Sequence, residues 1–151
     1  MEVFVGTSGW AYDWNEGGNL DWYASRSGLN AVELNASFYR FPFKNQILGW
    51  SRRGHGLSWS VKVHRGVTHT HRFNREAFEL WEKFHEAFAP LDPNTRFYLF
   101  QAHPAFTDAE SLVTFANTCG LGDRFALEVR NPGLLMDDGL CRKLQGHVTL
   151  V

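Results

Sequence analysis

The clearest indication of the fold class is the segment Trp59-Ser60-Val61-Lys62-Val63-His64. Apolar and polar side chains alternate in it with the two-residue period of a β-strand. One face would carry the apolar residues, and the other would carry Ser60, Lys62 and His64. A strand with this pattern packs one face against a core and leaves polar groups on the opposite face.

Similar short strands recur along the chain with helical patterns between them. Strands are predicted at 3–7, 31–35, 59–64, 97–101, 125–130 and 148–151. The clearest helix covers 78–88, where apolar residues repeat at a spacing of three to four. Residues 65–74 are predicted to form a polar loop. Six strands joined by five helical connections predict right-handed βαβ units and an α/β fold with a parallel sheet.

The composition indicates an ordinary folded domain. The 151 residues are 44% hydrophobic, 15% aromatic and 21% charged, with a formal net charge of −1. These values argue against disorder and against a general attraction to nucleic acid. Two cysteines are too few for a disulfide scaffold. No apolar run approaches the ~20 residues of a membrane span, and no signal peptide is visible, so we expect a cytoplasmic protein that binds no membrane.

Polar side chains fall late in four consecutive strands and share one parity. Ligands bind at the carboxyl ends of the strands in parallel α/β folds, so these side chains predict a binding or active site. A buried structural ion network is the alternative, but burying charges is costly. The residues concerned are Glu33, Asn35, Lys62, His64, Gln101, His103, Glu128 and Arg130.

Several segments together resemble the YecE-like family, domain of unknown function 72 (DUF72). They are Gly6-Thr7-Ser8-Gly9-Trp10, Glu33-Leu34-Asn35-Ala36-Ser37-Phe38-Tyr39-Arg40, Val61-Lys62, Thr68-His69 with Arg72, Leu99-Phe100-Gln101 with Pro104 and Phe106, and Glu128 with Arg130. They appear in the order of the family and cover nearly the whole chain. Three departures affect the rim of the site near the fifth strand: His103 stands in place of proline, Asn131 in place of histidine, and a tryptophan that often follows is absent.

The resemblance implies a TIM-type β/α barrel of which residues 1–151 form the first six of eight strands. A complete barrel usually takes ~250 residues, so we expect a single barrel domain that is incomplete at its carboxyl terminus. The first and sixth strands would be open edges, and open edges favour pairing with another chain. We therefore expect self-association if the chain has only these 151 residues.

Four kinds of chemistry fit parts of this sequence. Residues 65–72 combine arginines, histidines and threonines suited to phosphate, whereas Glu33 and Glu128 are suited to acid–base hydrolysis. Histidines and glutamates are also ligands for a divalent metal, but no metal-binding spacing unites them. A Schiff-base role for Lys62 is disfavoured, because nearby glutamates keep a lysine protonated. Aromatic residues after the first two strands predict either a packed cap or a stacking wall for a sugar or nucleobase.

The resulting hypothesis is a hydrolase that acts on a small phosphate-bearing or nucleic-acid substrate, with or without a metal. The alternative is a non-enzymatic module that binds a small molecule or nucleic acid. The predicted catalytic residues are Glu33, Lys62, Glu128 and Arg130. The predicted ligand-binding residues are Trp10, Asn35, Tyr39, Arg65, His69, Arg72 and Gln101.

Overall fold

The computed structural model describes residues 2–151 and contains one six-stranded parallel sheet. The strands pair in chain order, so each is hydrogen-bonded to the next along the sequence. They are β1 (Gly6–Ser8), β2 (Ala31–Leu34), β3 (Ser58–Lys62), β4 (Thr95–Gln101), β5 (Phe125–Glu128) and β6 (Thr149–Leu150). This order confirms the α/β fold class that the alternating pattern predicted.

Helices fill the connections between the strands. They are α1 (Leu20–Arg26), α2 (Lys44–Arg53), α3 (Arg75–Ala87), α4 (Ala109–Cys119), α5 (Pro132–Leu135) and α6 (Asp138–Leu144). Side-chain caps begin several of them: Asn19 accepts a hydrogen bond from the Trp22 amide, and Asn74 accepts one from the Ala77 amide. Such caps satisfy backbone donors that the first turn of a helix leaves free.

The structure differs from the sequence expectations in two connections. Residues 65–74 are not an irregular polar loop, because Gly66–Thr70 form a π-helical turn whose first three residues are buried. The short helix α5 was not predicted. Its signals are Asn131, which accepts a hydrogen bond from the Gly133 amide, and Pro132 at the first helical position.

The core lies between the sheet and the surrounding helices. Trp59, Val61 and Val63 are fully buried, which confirms the apolar face expected for β3. From α3, Trp81 and Phe84 pack on this layer, and the Trp81 ring lies 5.1 Å from the Phe100 ring. The helices therefore cover one face of the sheet, and the polar parity faces the other way.

That second face encloses a space, which we call the lumen. A cavity of about 260 Å³ is lined by residues from β1 to β4, and another of about 320 Å³ by residues from β2 to β5 and Val151. A flat sheet cannot line one cavity with four consecutive strands, so the sheet curves in the manner of an open barrel. Among residues 2–151, β1 and β6 are each paired on one side only. Pairing of these edges with another chain stays a prediction.

The helices are short. Within residues 2–151, none has the length and apolar character needed to cross a membrane.

Candidate functional site

Lys62 ends β3 and has the same parity as Ser60, which lines the lumen. Its Nζ lies 4.9 Å from the centre of the Phe38 ring, close enough for a cation–π contact. The backbone beneath it is fixed by Ser37, which is fully buried. The Ser37 hydroxyl lies 2.6 Å from the Lys62 carbonyl oxygen and 3.0 Å from the Leu34 carbonyl oxygen. Ser37 therefore ties the carboxyl end of β2 to that of β3.

His69 lies on the π-helical turn beside Lys62. Its ring centre is 5.1 Å from that of Phe38 and 5.1 Å from that of His103, with edge-to-face geometry in both pairs. On its other side, Nδ1 lies 2.9 Å from the hydroxyl oxygen of Thr68, a fully buried residue. These contacts hold the imidazole in one orientation at the carboxyl end of the sheet.

The turn that carries His69 depends on an unusual backbone. At Gly66, an added Cβ would lie 2.5 Å from Leu80 Cδ2 and 2.9 Å from His64 Nδ1, so a side chain there would require Leu80 and His64 to move. The following residues Arg72 and Phe73 adopt φ values of 47° and 63°, in the left-handed region that residues other than glycine rarely occupy. Single π-helical turns and strained backbones are frequent at functional sites.

Positive charge accumulates around His69. Burial lowers the pKa of its imidazole, and the charges of His103, Arg65, Arg130 and Lys62 lower it further. We call these five residues the cation cluster: three permanent cations, Lys62, Arg65 and Arg130, around the imidazoles of His69 and His103. Since no acidic side chain contributes to this shift, the ring is held neutral near pH 7 inside a positive field. A site with this field favours an anionic ligand.

Glu128 is the carboxylate on the far side of the cluster. Its Oε2 accepts a hydrogen bond of 2.7 Å from Gln101 Nε2, and its Oε1 accepts one of 2.6 Å from Arg130 Nε. Burial alone would raise the pKa of Glu128, but these hydrogen bonds and the charges of Arg130 and Lys62 bring it below its ordinary value. The group is therefore ionised at neutral pH and orients Arg130.

Two more predicted site residues lie on β2 or at its end. The Ser8 hydroxyl donates a hydrogen bond of 3.0 Å to Glu33 Oε1. Glu33 and Glu128 line the same lumen cavity, although β2 and β5 are separated by two strands. The side-chain oxygen of Asn35 is buried and has no hydrogen-bond partner within residues 2–151. An unpaired buried acceptor of this kind is costly unless a ligand or water completes it.

Three polar or aromatic residues occupy other places. Trp10 packs edge-to-face on Trp50 and Trp59, with ring centres 6.2 and 6.1 Å away. Arg72 directs Nε to the His69 carbonyl oxygen at 3.4 Å and lines a neighbouring groove of about 470 Å³. The parity of His64 predicted that it would lie in the lumen with Lys62. Its ring instead packs 4.9 Å from that of Phe41.

A divalent metal was one of the expectations for this site. Within residues 2–151, no three His, Cys, Asp or Glu side chains come together as metal ligands. Sequence reasoning also missed three supporting residues, Ser37, Phe38 and Thr68, as parts of the site. All three lie in segments that resemble the family, three to six residues after β2 or β3, but nothing in the sequence assigned them a role in the site.

Comparisons with known proteins support the fold. Two crystal structures of a DUF72 family protein from Enterococcus faecalis V583 superpose with TM-scores of 0.78 and 0.73, at 19% and 20% identity. These matches cover 99% and 97% of this chain, but only 60% and 61% of the solved chains. A DUF72 family protein from Thermotoga maritima MSB8 gives a TM-score of 0.76 at 22% identity, over 99% of this chain and 64% of that one.

This chain therefore spans less than two thirds of the length of these solved relatives. No curated protein matches it significantly. The model of one family, described as "Protein of unknown function DUF72", matches residues 4–149. The motifs that predicted this family are thus confirmed across nearly the whole sequence, and the chain belongs to the DUF72 family.

Proposed function

We propose that the carboxyl end of the sheet binds the phosphate group of a small ligand and hydrolyses its ester bond. The observation that carries this proposal is the cation cluster: His103, Arg65, Arg130 and Lys62 all act on a neutral His69. Arginine side chains suit phosphate because they donate paired hydrogen bonds, and lysine adds a compact charge. Glu33 lies near the end of β2 and lines the lumen, so its carboxylate suits donors on the rest of the ligand, and the adjacent Asn35 oxygen is buried without a partner in residues 2–151.

In the hydrolytic step, His69 acts as the general base. When Nδ1–H donates to the Thr68 hydroxyl, the lone pair on Nε2 is free to accept a proton. A water molecule then attacks phosphorus, its proton moves to Nε2, and the ester P–O bond breaks. The leaving oxygen takes a proton from the imidazolium or from water. The cations around the site stabilise the charge that develops on the phosphoryl oxygens.

Phosphate binding is tested first, by isothermal titration with inorganic phosphate. We expect Lys62→Met and Arg130→Gln each to weaken binding by about tenfold, since each removes one charge-assisted contact. Arg52→Gln is the matched control. Arg52 lies in the last turn of α2, at the opposite end of the sheet, and is exposed. Equal affinity in all four proteins would contradict the proposal.

Hydrolysis is tested with 4-nitrophenyl phosphate and bis(4-nitrophenyl) phosphate. We expect His69→Gln to lower the rate by at least about a hundredfold, as for loss of a general base. Glu128→Gln should also lower it, because Arg130 loses its orienting carboxylate. Rates in both variants equal to the unmodified protein would remove hydrolysis from the proposal.

A binding module without turnover is the second candidate. It is favoured by one observation: the imidazole of His69 and the carboxylate of Glu128 both have lowered pKa values. Neither group carries a proton at neutral pH for a leaving group. Phosphate binding that depends on the cation cluster, without release of 4-nitrophenol, would support this candidate.

A further inference from the structure

We propose that the phosphate bound here belongs to a nucleotide of a single strand, whose base stacks on exposed aromatic rings beside the cation cluster. This inference rests on the proposed function, because it uses the same phosphate position. The rings are those of Tyr12 and Tyr39, which follow β1 and β2. We call these two residues the aromatic rim.

Tyr39 is the ring nearest to the cations. Two thirds of its surface, 66%, is exposed, which is high for a large aromatic residue. The ring is held edge-to-face on Phe38, with centres 5.1 Å apart. Phe38 in turn contacts Lys62 Nζ at 4.9 Å and the His69 ring at 5.1 Å. Tyr39 is therefore one side chain away from two members of the cluster, with most of its own surface free.

Tyr12 forms the second part of the rim. It is stacked on Trp14 with ring centres 5.5 Å apart and planes at 10°, and these residues are 40% and 45% exposed. The Tyr12 hydroxyl donates a hydrogen bond of 2.7 Å to the Ser8 carbonyl oxygen. Ser8 ends β1 and contacts Glu33, so this bond anchors the aromatic pair above the first strand at the mouth of the lumen.

The aromatic rim and the cation cluster lie next to each other at the carboxyl end of the sheet. Aromatic rings follow β1 and β2, whereas the cations Lys62 and Arg65 end or follow β3 and Arg130 follows β5. Neighbouring strands are about 4.8 Å apart, so the ring after β2 lies about one strand's width from the cations of β3, and the ring after β1 about two. One nucleotide spans such a distance with its base at one side and its phosphate at the other.

Exposed rings beside cations favour a ligand that carries both a flat base and a phosphate. Inorganic phosphate gains nothing from flat exposed rings and a sugar phosphate offers only the edge of a puckered ring, whereas any nucleobase offers a flat face that stacks on them. The base must be unpaired, because the faces of bases inside a duplex are already covered by their neighbours. A free nucleotide and a single-stranded end share this chemistry.

The experiment compares four probes by competition against a fluorescent ten-nucleotide oligothymidylate. The competitors are unlabelled oligothymidylate, an abasic oligonucleotide of equal length and charge, thymidine monophosphate and inorganic phosphate. We expect oligothymidylate to bind at least about tenfold more tightly than the abasic strand, because each base adds stacking. Thymidine monophosphate bound as tightly as the oligonucleotide would assign the site to free nucleotides.

Variants at Tyr39 isolate the stacking. We expect Tyr39→Ser to reduce oligothymidylate affinity to that of the abasic strand, and Tyr39→Phe to retain it. Because Tyr39 is exposed, both variants should unfold at the temperature of the unmodified protein. Equal affinity for the two strands, with inorganic phosphate still bound, would overturn this inference and leave the proposed function standing. Absence of phosphate binding would overturn both.

Discussion

The two ends of the sheet both gather charged side chains, but they pair them differently. At the amino end, Asp92 Oδ1 accepts hydrogen bonds of 2.7 Å from the Tyr98 hydroxyl and 2.6 Å from Arg124 Nη2, and lies 3.3 Å from His85 Nε2. At the carboxyl end, the other members of the cation cluster surround His69. Glu128 is the carboxylate there, and it pairs with Arg130. At the amino end one carboxylate has three partners of its own, whereas at the carboxyl end one carboxylate faces several cations.

This difference separates a structural network from a binding site. Arg124 also donates to the carbonyl oxygens of Asp92 and Thr95, so the amino-end network joins the segments before β4 and β5. The Asp92 carboxylate is therefore paired inside the protein through Arg124 Nη2, although Arg124 Nε is buried without a partner in residues 2–151. At the carboxyl end, by contrast, several positive charges repel one another. A bound anion would reduce this repulsion. In β/α barrels, the carboxyl end carries function and the amino end carries stability.

The largest effect on stability is expected at the amino end. Asp92→Asn removes the charge that holds Arg124 and Tyr98, so we expect a loss of about 2 kcal/mol in the free energy of unfolding. The figure allows for partial exposure, since the side chains of Arg124 and Asp92 are 36% and 30% exposed. Urea denaturation measures it. A loss below about 0.5 kcal/mol would contradict the structural role of this network.

The pH dependence of that loss provides the next test. Burial would raise the pKa of Asp92, but hydrogen bonds from Arg124 and Tyr98 outweigh burial and lower it below 3.8. A carboxylate with a lowered pKa in the folded state stabilises the protein fully above the unfolded-state pKa. The contribution is lost as pH falls through the folded-state value. The stability difference between the unmodified protein and Asp92→Asn should therefore shrink below pH 3.8, and a constant difference would argue against an ionic origin.

The contrast between the ends also explains what the sequence could predict. Alternation along each strand predicts the sheet and the lumen face of Lys62 and Glu128, because period-two patterning is local. The amino-end network was missed, since Asp92 and Arg124 are 32 residues apart and meet only through the sheet register. His64 follows the polar parity but leaves the lumen, because β3 ends at Lys62 and the alternation stops there.

A smaller effect is expected from the strained turn at the carboxyl end. Arg72 has a φ of 47°, where a Cβ costs about 1 kcal/mol and glycine is unstrained. Arg72→Gly should therefore raise the free energy of unfolding by about 0.5 kcal/mol, after the extra freedom of glycine in the unfolded chain is counted. Arg52→Gly is the matched control and should lower it by about 0.5–1 kcal/mol, since Arg52 lies inside α2. The same sign in both variants would show that the turn is not strained.

The smallest expected effect on stability tests whether the charges at the carboxyl end repel one another. Arg65 is exposed and lies beside His69 and His64, whose pKa values its charge lowers. Removing that charge in Arg65→Gln relieves repulsion where these imidazoles are protonated, so we expect stability to rise by about 0.3 kcal/mol at low salt and about pH 5, and to change less at pH 7. The gain should vanish at about 1 M salt, where charges are screened within ~3 Å. Phosphate affinity should fall in the same variant. Stability that falls together with affinity would mean that Arg65 is already paired within the fold, and the carboxyl end would then resemble the amino end.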